Sequence, residues 1–156
     1  MTVTGLEGLE HTVQLTHIWI NELDERLEWS NKPRAYRLLK AVLHALRDWL
    51  PVNEAAGLAA QLPTLLRGVY YEQWRPADVR AKKRAKADFL ARIDASFKSD
   101  PLDNTASAVI EVFELLSRKI AAGEVDDIRR ALTADLRTLW PEPFVPAGEV
   151  RPREAR

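Results

Sequence analysis

The chain has 156 residues, the length of one domain, and can bury roughly 70% of its unfolded surface without a disulfide or a metal to hold it. It contains no cysteine, which excludes disulfide frameworks, thiolate metal sites and cysteine nucleophiles, and which suits a reducing cytoplasm. Lysine plus arginine equals aspartate plus glutamate at 23 each, so no overall field draws the protein to nucleic acid or anionic lipid; such binding would have to come from local clustering.

The first residues, "MTVTGLEGLEHTV", lack the basic start and apolar core of a signal peptide, and no apolar run approaches the ~20 residues of a membrane span. A soluble, cytoplasmic protein is therefore expected. Residues 1–11 read as an extension, and helical periodicity runs from about Thr12 to Trp140. Trp19, Ile20, Leu23 and Leu27 form the first stripe, followed by a break at "SNKP". Ala35, Leu39, Val42, Leu43, Leu46 and Leu50 form the second. His44 and Asp48 share a face of that helix, but two side chains fall short of a metal site, so His44 reads as a satisfied or solvent-facing residue. After "LPVNE", with Asn53 as a candidate N-cap, Pro63 interrupts an apolar pattern. Proline is tolerated in the first turn of a helix, where its missing N–H has no partner to lose, so Pro63 marks a boundary between two short helices.

Next comes "RPADVRAKKRAKADF", where between Arg75 and Lys86 the six bases Arg75, Arg80, Lys82, Lys83, Arg84 and Lys86 stand against one acid, Asp78. It reads as a solvated connector, with a phosphate-contacting arm as the alternative; Tyr71 and Trp74 lie close enough in sequence to stack on bases. Phe89, Leu90, Ile93 and Phe97 make the next stripe. Beyond "SDPLDNT", where Asn104 or Thr105 is a candidate N-cap, Val109, Val112, Phe113, Leu116 and Ile120 make another. Gly123 reads as a helix stop and Thr133 as an N-cap. The proline-rich stretch 141–156 has no periodicity and is expected to be disordered.

Shifting the chain by 70 residues lays 16–70 over 86–140 without a gap. Large apolar residues then coincide about twice as often as chance placement would give, and the breaks coincide too. The expected fold is an all-α, compact bundle of seven to eight helices in one domain over 12–140, built from two pseudo-repeats, 12–74 and 77–140. Asp24, Glu54 and Arg67 fall over Asp94, Glu124 and Arg137. A free surface charge has no physical reason to keep register, so these are expected to be structural pairs, each arginine gripping the carboxylate of Glu54/Glu124 or Asp24/Asp94 in its own half.

The segments "THIWINEL", "AYRLLKAVLHALRDWLPVNEAAGLAAQLPTLLRGVYYEQW", "FLARI" and "GEVDDIRRALTADLRTLWP" resemble the bacterial domain-of-unknown-function family catalogued under the number 2267, most specifically over 43–74. The resemblance runs from about Gly5 to Pro141. It implies an all-helical fold and brings no assigned activity. Trp49, Gln73 and Arg75 depart from what the family pattern leads one to expect.

No phosphate loop, nucleophile elbow or metal-binding helix motif is present, and Asp126 and Asp127 adjoin on a helix and point about 100° apart. The sequence therefore points to a non-enzymatic protein interaction or scaffold module that needs no cofactor. Its partner is expected to be another protein or a second copy, and its surface the combined aromatic and basic group Tyr71, Trp74, Arg75, Arg80, Lys82, Lys83, Arg84 and Lys86. The alternatives are nucleic-acid binding through 75–86 and a small-ligand pocket between the halves lined by Arg67 or Arg137.

Overall fold

A computed structural model of the protein describes residues 5–77 and 85–142. Among these residues eight helices follow one another: α1 (Glu7–Leu27), α2 (Lys32–Trp49), α3 (Val52–Ala60), α4 (Thr64–Tyr71), α5 (Lys86–Ala95), α6 (Thr105–Lys119), α7 (Ala122–Ala131) and α8 (Ala134–Arg137). No strand occurs among the described residues, and no helix there is long and apolar enough to cross a membrane.

Local chemistry sets the boundaries. Asn31 and Asn104 each accept the backbone N–H three residues on, from Arg34 at 3.2 Å and Ser107 at 3.0 Å, and so start α2 and α6. Leu50 is extended because the residue before a proline is driven out of the helical region; α2 therefore stops ahead of Pro51. Pro63 stands immediately before α4, as its lack of an N–H requires, and Thr133 caps α8 through Leu136 N–H at 3.3 Å. Two boundary expectations need correction. Asn53 lies inside α3, whose N-cap is Pro51, and Gly123 is the second residue of α7 instead of a stop. The break before α7 comes from Ile120, whose backbone is extended. Helix α1 also starts at Glu7, ahead of Thr12.

The apolar stripes meet in one core, with α2 and α6 at its centre. Helix α2 packs on α1, α3, α4, α5 and α6, while α6 packs on α1, α2, α5 and α7. A file of aromatic rings runs through this core. Trp49 sets its edge on Phe89 at 5.5 Å, Phe89 lies 6.0 Å from Phe113, and Phe113 stacks on Trp140 at 4.5 Å. Trp49 has no aromatic counterpart in the shifted alignment, and it serves as the link between the first four helices and the last four.

Among the described residues, Arg67 and Arg137 hold carbonyls and no carboxylate. Arg67 donates from Nε to the Ala59 carbonyl (2.8 Å) and from Nη2 to the carbonyls of Leu62 (3.1 Å) and Ala60 (3.4 Å). Arg137 makes the corresponding bonds to Arg129 (2.8 Å), Leu132 (2.9 Å) and Arg130 (3.5 Å). Each guanidinium caps the carbonyl end of the preceding helix, where the helix dipole also favours a cation. The expected carboxylate partners are out of position. Glu54 and Glu124 occupy the first turns of α3 and α7, five to eight residues before the capped carbonyls, so about 8–12 Å of helix separates them. Asp24 instead accepts the Asn31 N–H at 3.0 Å, and Asp94 accepts the Thr105 hydroxyl, so both aspartates fix the loop to the next helix.

Candidate functional site

Polar side chains on α2 are concentrated on the C-terminal end of α4. Lys40, His44 and Arg47 recur at helical spacing on one face. Lys40 pairs with Glu72 at 3.4 Å, and His44 Nε2 lies 2.7 Å from the Val69 carbonyl. Arg47 donates from Nη1 to the carbonyls of Tyr70 (2.7 Å) and Glu72 (2.8 Å). Its other edge meets Asp48, which also receives Arg92 of α5. Burial holds the His44 imidazole below its ordinary pKa, and nearby Arg47 and Lys40 add to this, so the ring is neutral at pH 7 and donates from Nε2. Burial pushes the Asp48 carboxyl up, but the Arg47 and Arg92 guanidiniums outweigh it and hold the group below the usual range. His44 and Arg47 thus close the end of α4, and Lys40, Asp48 and Arg92 are held in ion pairs around them.

Of the predicted surface, Tyr71 and Trp74 stack on each other at 5.1 Å and are half-buried against the core, while Arg75 is exposed. Lys86 begins α5, and its backbone N–H donates to Asp135 at 2.9 Å. Arg80, Lys82, Lys83 and Arg84 lie outside the described residues, as does the tail beyond Glu142. Trp29 is half-buried beneath the Arg34 guanidinium at 4.3 Å, and that guanidinium is in turn tied to Asp100 at 2.7 Å. A cleft of about 250 Å³ opens beside it, between the end of α1 and the start of α6, with Leu27 and Leu102 among its apolar lining and Arg26 and Glu111 bridged across its rim at 3.5 Å.

A different face stands out by exposure. The first buried residue of α1 is Thr16, so nine residues of the helix, about two and a half turns, precede its first buried position. On those turns Leu6, Leu9 and Val13 are 51%, 61% and 41% exposed, at spacings of three and four that align them on one side. Leu65 of α4, 44% exposed, lies beside them: its N–H donates to the Thr12 hydroxyl at 2.8 Å, which ties the start of α4 to α1. Sequence reasoning missed this face because it assigned residues 1–11 to an extension. The signal was the Leu6, Leu9, Val13 spacing itself, which continues the helix back through Glu7.

Among the described residues no three His, Asp or Glu side chains gather as metal ligands. Residues 16–139 match the model of the family DUF2267, described as an uncharacterized conserved protein. No curated protein matches the chain.

Proposed function

The chain belongs to the DUF2267 family, and from its geometry we propose that it is a non-enzymatic protein-interaction module that docks a partner helix on the exposed start of α1. The observation that supports this is the row of Leu6, Leu9 and Val13 exposed on a helix that runs past its own core. Single exposed apolar residues are ordinary on protein surfaces. Three in helical register on one rigid element, with Leu65 beside them, form the kind of strip an amphipathic helix packs against. Charge selects the partner. Glu7 and Glu10 flank the strip, and α1 carries no lysine or arginine before Arg26. A second copy would bring glutamates against glutamates, whereas a helix with lysines or arginines beside its apolar stripe is attracted.

The probe is a synthetic amphipathic helical peptide with leucines at three- and four-residue spacing, flanked by lysines. Its affinity is measured against the protein and against the Leu9→Glu, Val13→Glu double variant. Both residues are exposed, so the unfolding midpoint is expected to stay put while binding falls at least about tenfold, the loss of roughly two apolar contacts. Capture unchanged by the double variant, or equal capture of a glutamate-flanked peptide, overturns the reading. A concentration-dependent dimer abolished by the same substitutions replaces the partner with a second copy.

We further infer that the module consists of two related halves, 12–74 and 77–140. The matching carbonyl clamps of Arg67 and Arg137, and the loop bonds of Asp24 and Asp94, support this. Equivalent clamps should carry equivalent weight. Arg67→Met and Arg137→Met are each expected to cost about 1–2 kcal/mol in urea unfolding; a cost confined to one of them counts against the equivalence.

A further inference from the structure

Helices α3 and α7 lie side by side and run in opposite directions. Gln61, just past the end of α3, accepts the Ala121 N–H from the start of α7 at 3.2 Å, while Glu124 of α7 reaches the middle of α3. There Glu124 Oε1 sits 2.6 Å from the point a Cβ on residue 57 would occupy, so the carboxylate fits because residue 57 is glycine. That oxygen is sealed from solvent and has no hydrogen-bond partner. A sealed carboxylate oxygen without a donor is costly when charged and far less so when protonated.

The groups around it are of the wrong sign to help. Glu54 faces it from α3 and Asp127 from its own helix, and the Asp127 carboxylate is already engaged by Arg130 at 3.5 Å. From α4, Tyr70 contributes a phenol whose proton is committed to the Ala55 carbonyl at 2.7 Å, and which burial keeps protonated well beyond neutral pH. Arg129, on the far side of α7, points to the Trp140 carbonyl at 3.0 Å.

We propose that the α3–α7 contact is a proton-operated latch: protonated Glu124 lets the two helices close over Gly57, and its ionisation loosens them while the rest of the bundle stays folded. Burial first, then Glu54 and Asp127, raise the proton affinity of Glu124 above that of an ordinary glutamate. A raised carboxyl pKa means the folded state binds the proton more tightly than the unfolded chain. The stability it gives this contact is therefore complete below the unfolded pKa and is lost as pH rises through the folded one. Loosening stays local because α2 packs directly on α1, α4, α5 and α6, and α6 on α1 and α5, contacts in which neither α3 nor α7 takes part.

Hydrogen exchange from pH 4.5 to 7.5, corrected for intrinsic rates, tests the latch on residues 52–60 and 122–131, with α2 and α6 as internal reference. In the unmodified protein, protection of these two segments relative to the reference is expected to fall several-fold as pH rises, by more than that of any other helix. Glu124→Gln cannot ionise and is expected to abolish the fall. Gly57→Ala serves as a second variant. Its methyl displaces the flexible end of Glu124 into solvent, removes the pH dependence by another route, and raises the unfolding midpoint because alanine favours helix over glycine. The same pH profile in all three proteins, or a flat profile in the unmodified one, overturns the proposal.

Discussion

Arg47→Ala is expected to cost about 3–5 kcal/mol, the range for removing one partner from a buried charged network, and to lower the thermal midpoint by roughly 10 °C. The guanidinium is only 4% exposed, and its hydrogen-bond partners are all inside the structure. Without it the Tyr70 and Glu72 carbonyls at the end of α4 lose their donor, and Asp48 keeps only Arg92 to balance its charge. Lysine will not rescue this loss. Its single ammonium cannot serve two carbonyls from one edge while lying along a carboxylate with the other, which the planar guanidinium does. The double variant with Asp48→Asn distinguishes the network from the cap. Removing Asp48 together with Arg47 should recover the part of the loss that came from an unbalanced charge, and leave the part due to bare carbonyls. The measurement is urea unfolding of the two single variants and the double, and a strictly additive double variant would show that the ion pair contributes nothing of its own.

Trp140→Ala is expected to fall in the same range, about 3–5 kcal/mol, for a different reason. The indole is fully buried and stacked on Phe113, so its loss leaves a cavity at one end of the aromatic file and removes the ring Phe113 rests on. Its Nε1–H also donates to the Ser117 hydroxyl at 2.7 Å. Trp140→Phe keeps most of the packing and loses that bond, which separates the two contributions: roughly 1–2 kcal/mol is expected for phenylalanine. Equal losses for alanine and phenylalanine would mean that the hydrogen bond, and not the volume, holds this end of the chain. Ser117 sits over Arg47 in the shifted alignment, and Trp140 over Tyr70. At these aligned positions an arginine meets a carbonyl in one place, and an indole meets a hydroxyl in the other.

The helices were legible from spacing because burial selects for it: each stripe read from the sequence is buried or half-buried in the core. Pro63, Asn104 and Thr133 were legible as punctuation because their effect on the backbone is local. The partners of Arg67 and Arg137 were not. A sequence shows that an arginine recurs but not what its fork faces, and here it faces carbonyls, which belong to every residue and leave no trace in composition. Gly123 misled for a related reason. Glycine is permissive, and at the second position of α7 that permissiveness is simply not used. From the sequence Glu124 is expected to pair with an arginine; only the position of Gly57 on a neighbouring helix reveals that one of its oxygens is shut in. The α1 face went unread because apolar spacing near a chain end was taken for a loose extension.

The way α2 reaches forward to α5 and α6, while α6 reaches back to α1, has a consequence for the order of events on the ribosome. Once Trp74 has left the exit tunnel, the first four helices are free, but the side of α2 that packs on α5 and α6, with Trp49 on it, still awaits its covering. The nascent protein is therefore expected to keep apolar surface open to chaperones until Phe113 and Leu116 emerge as well.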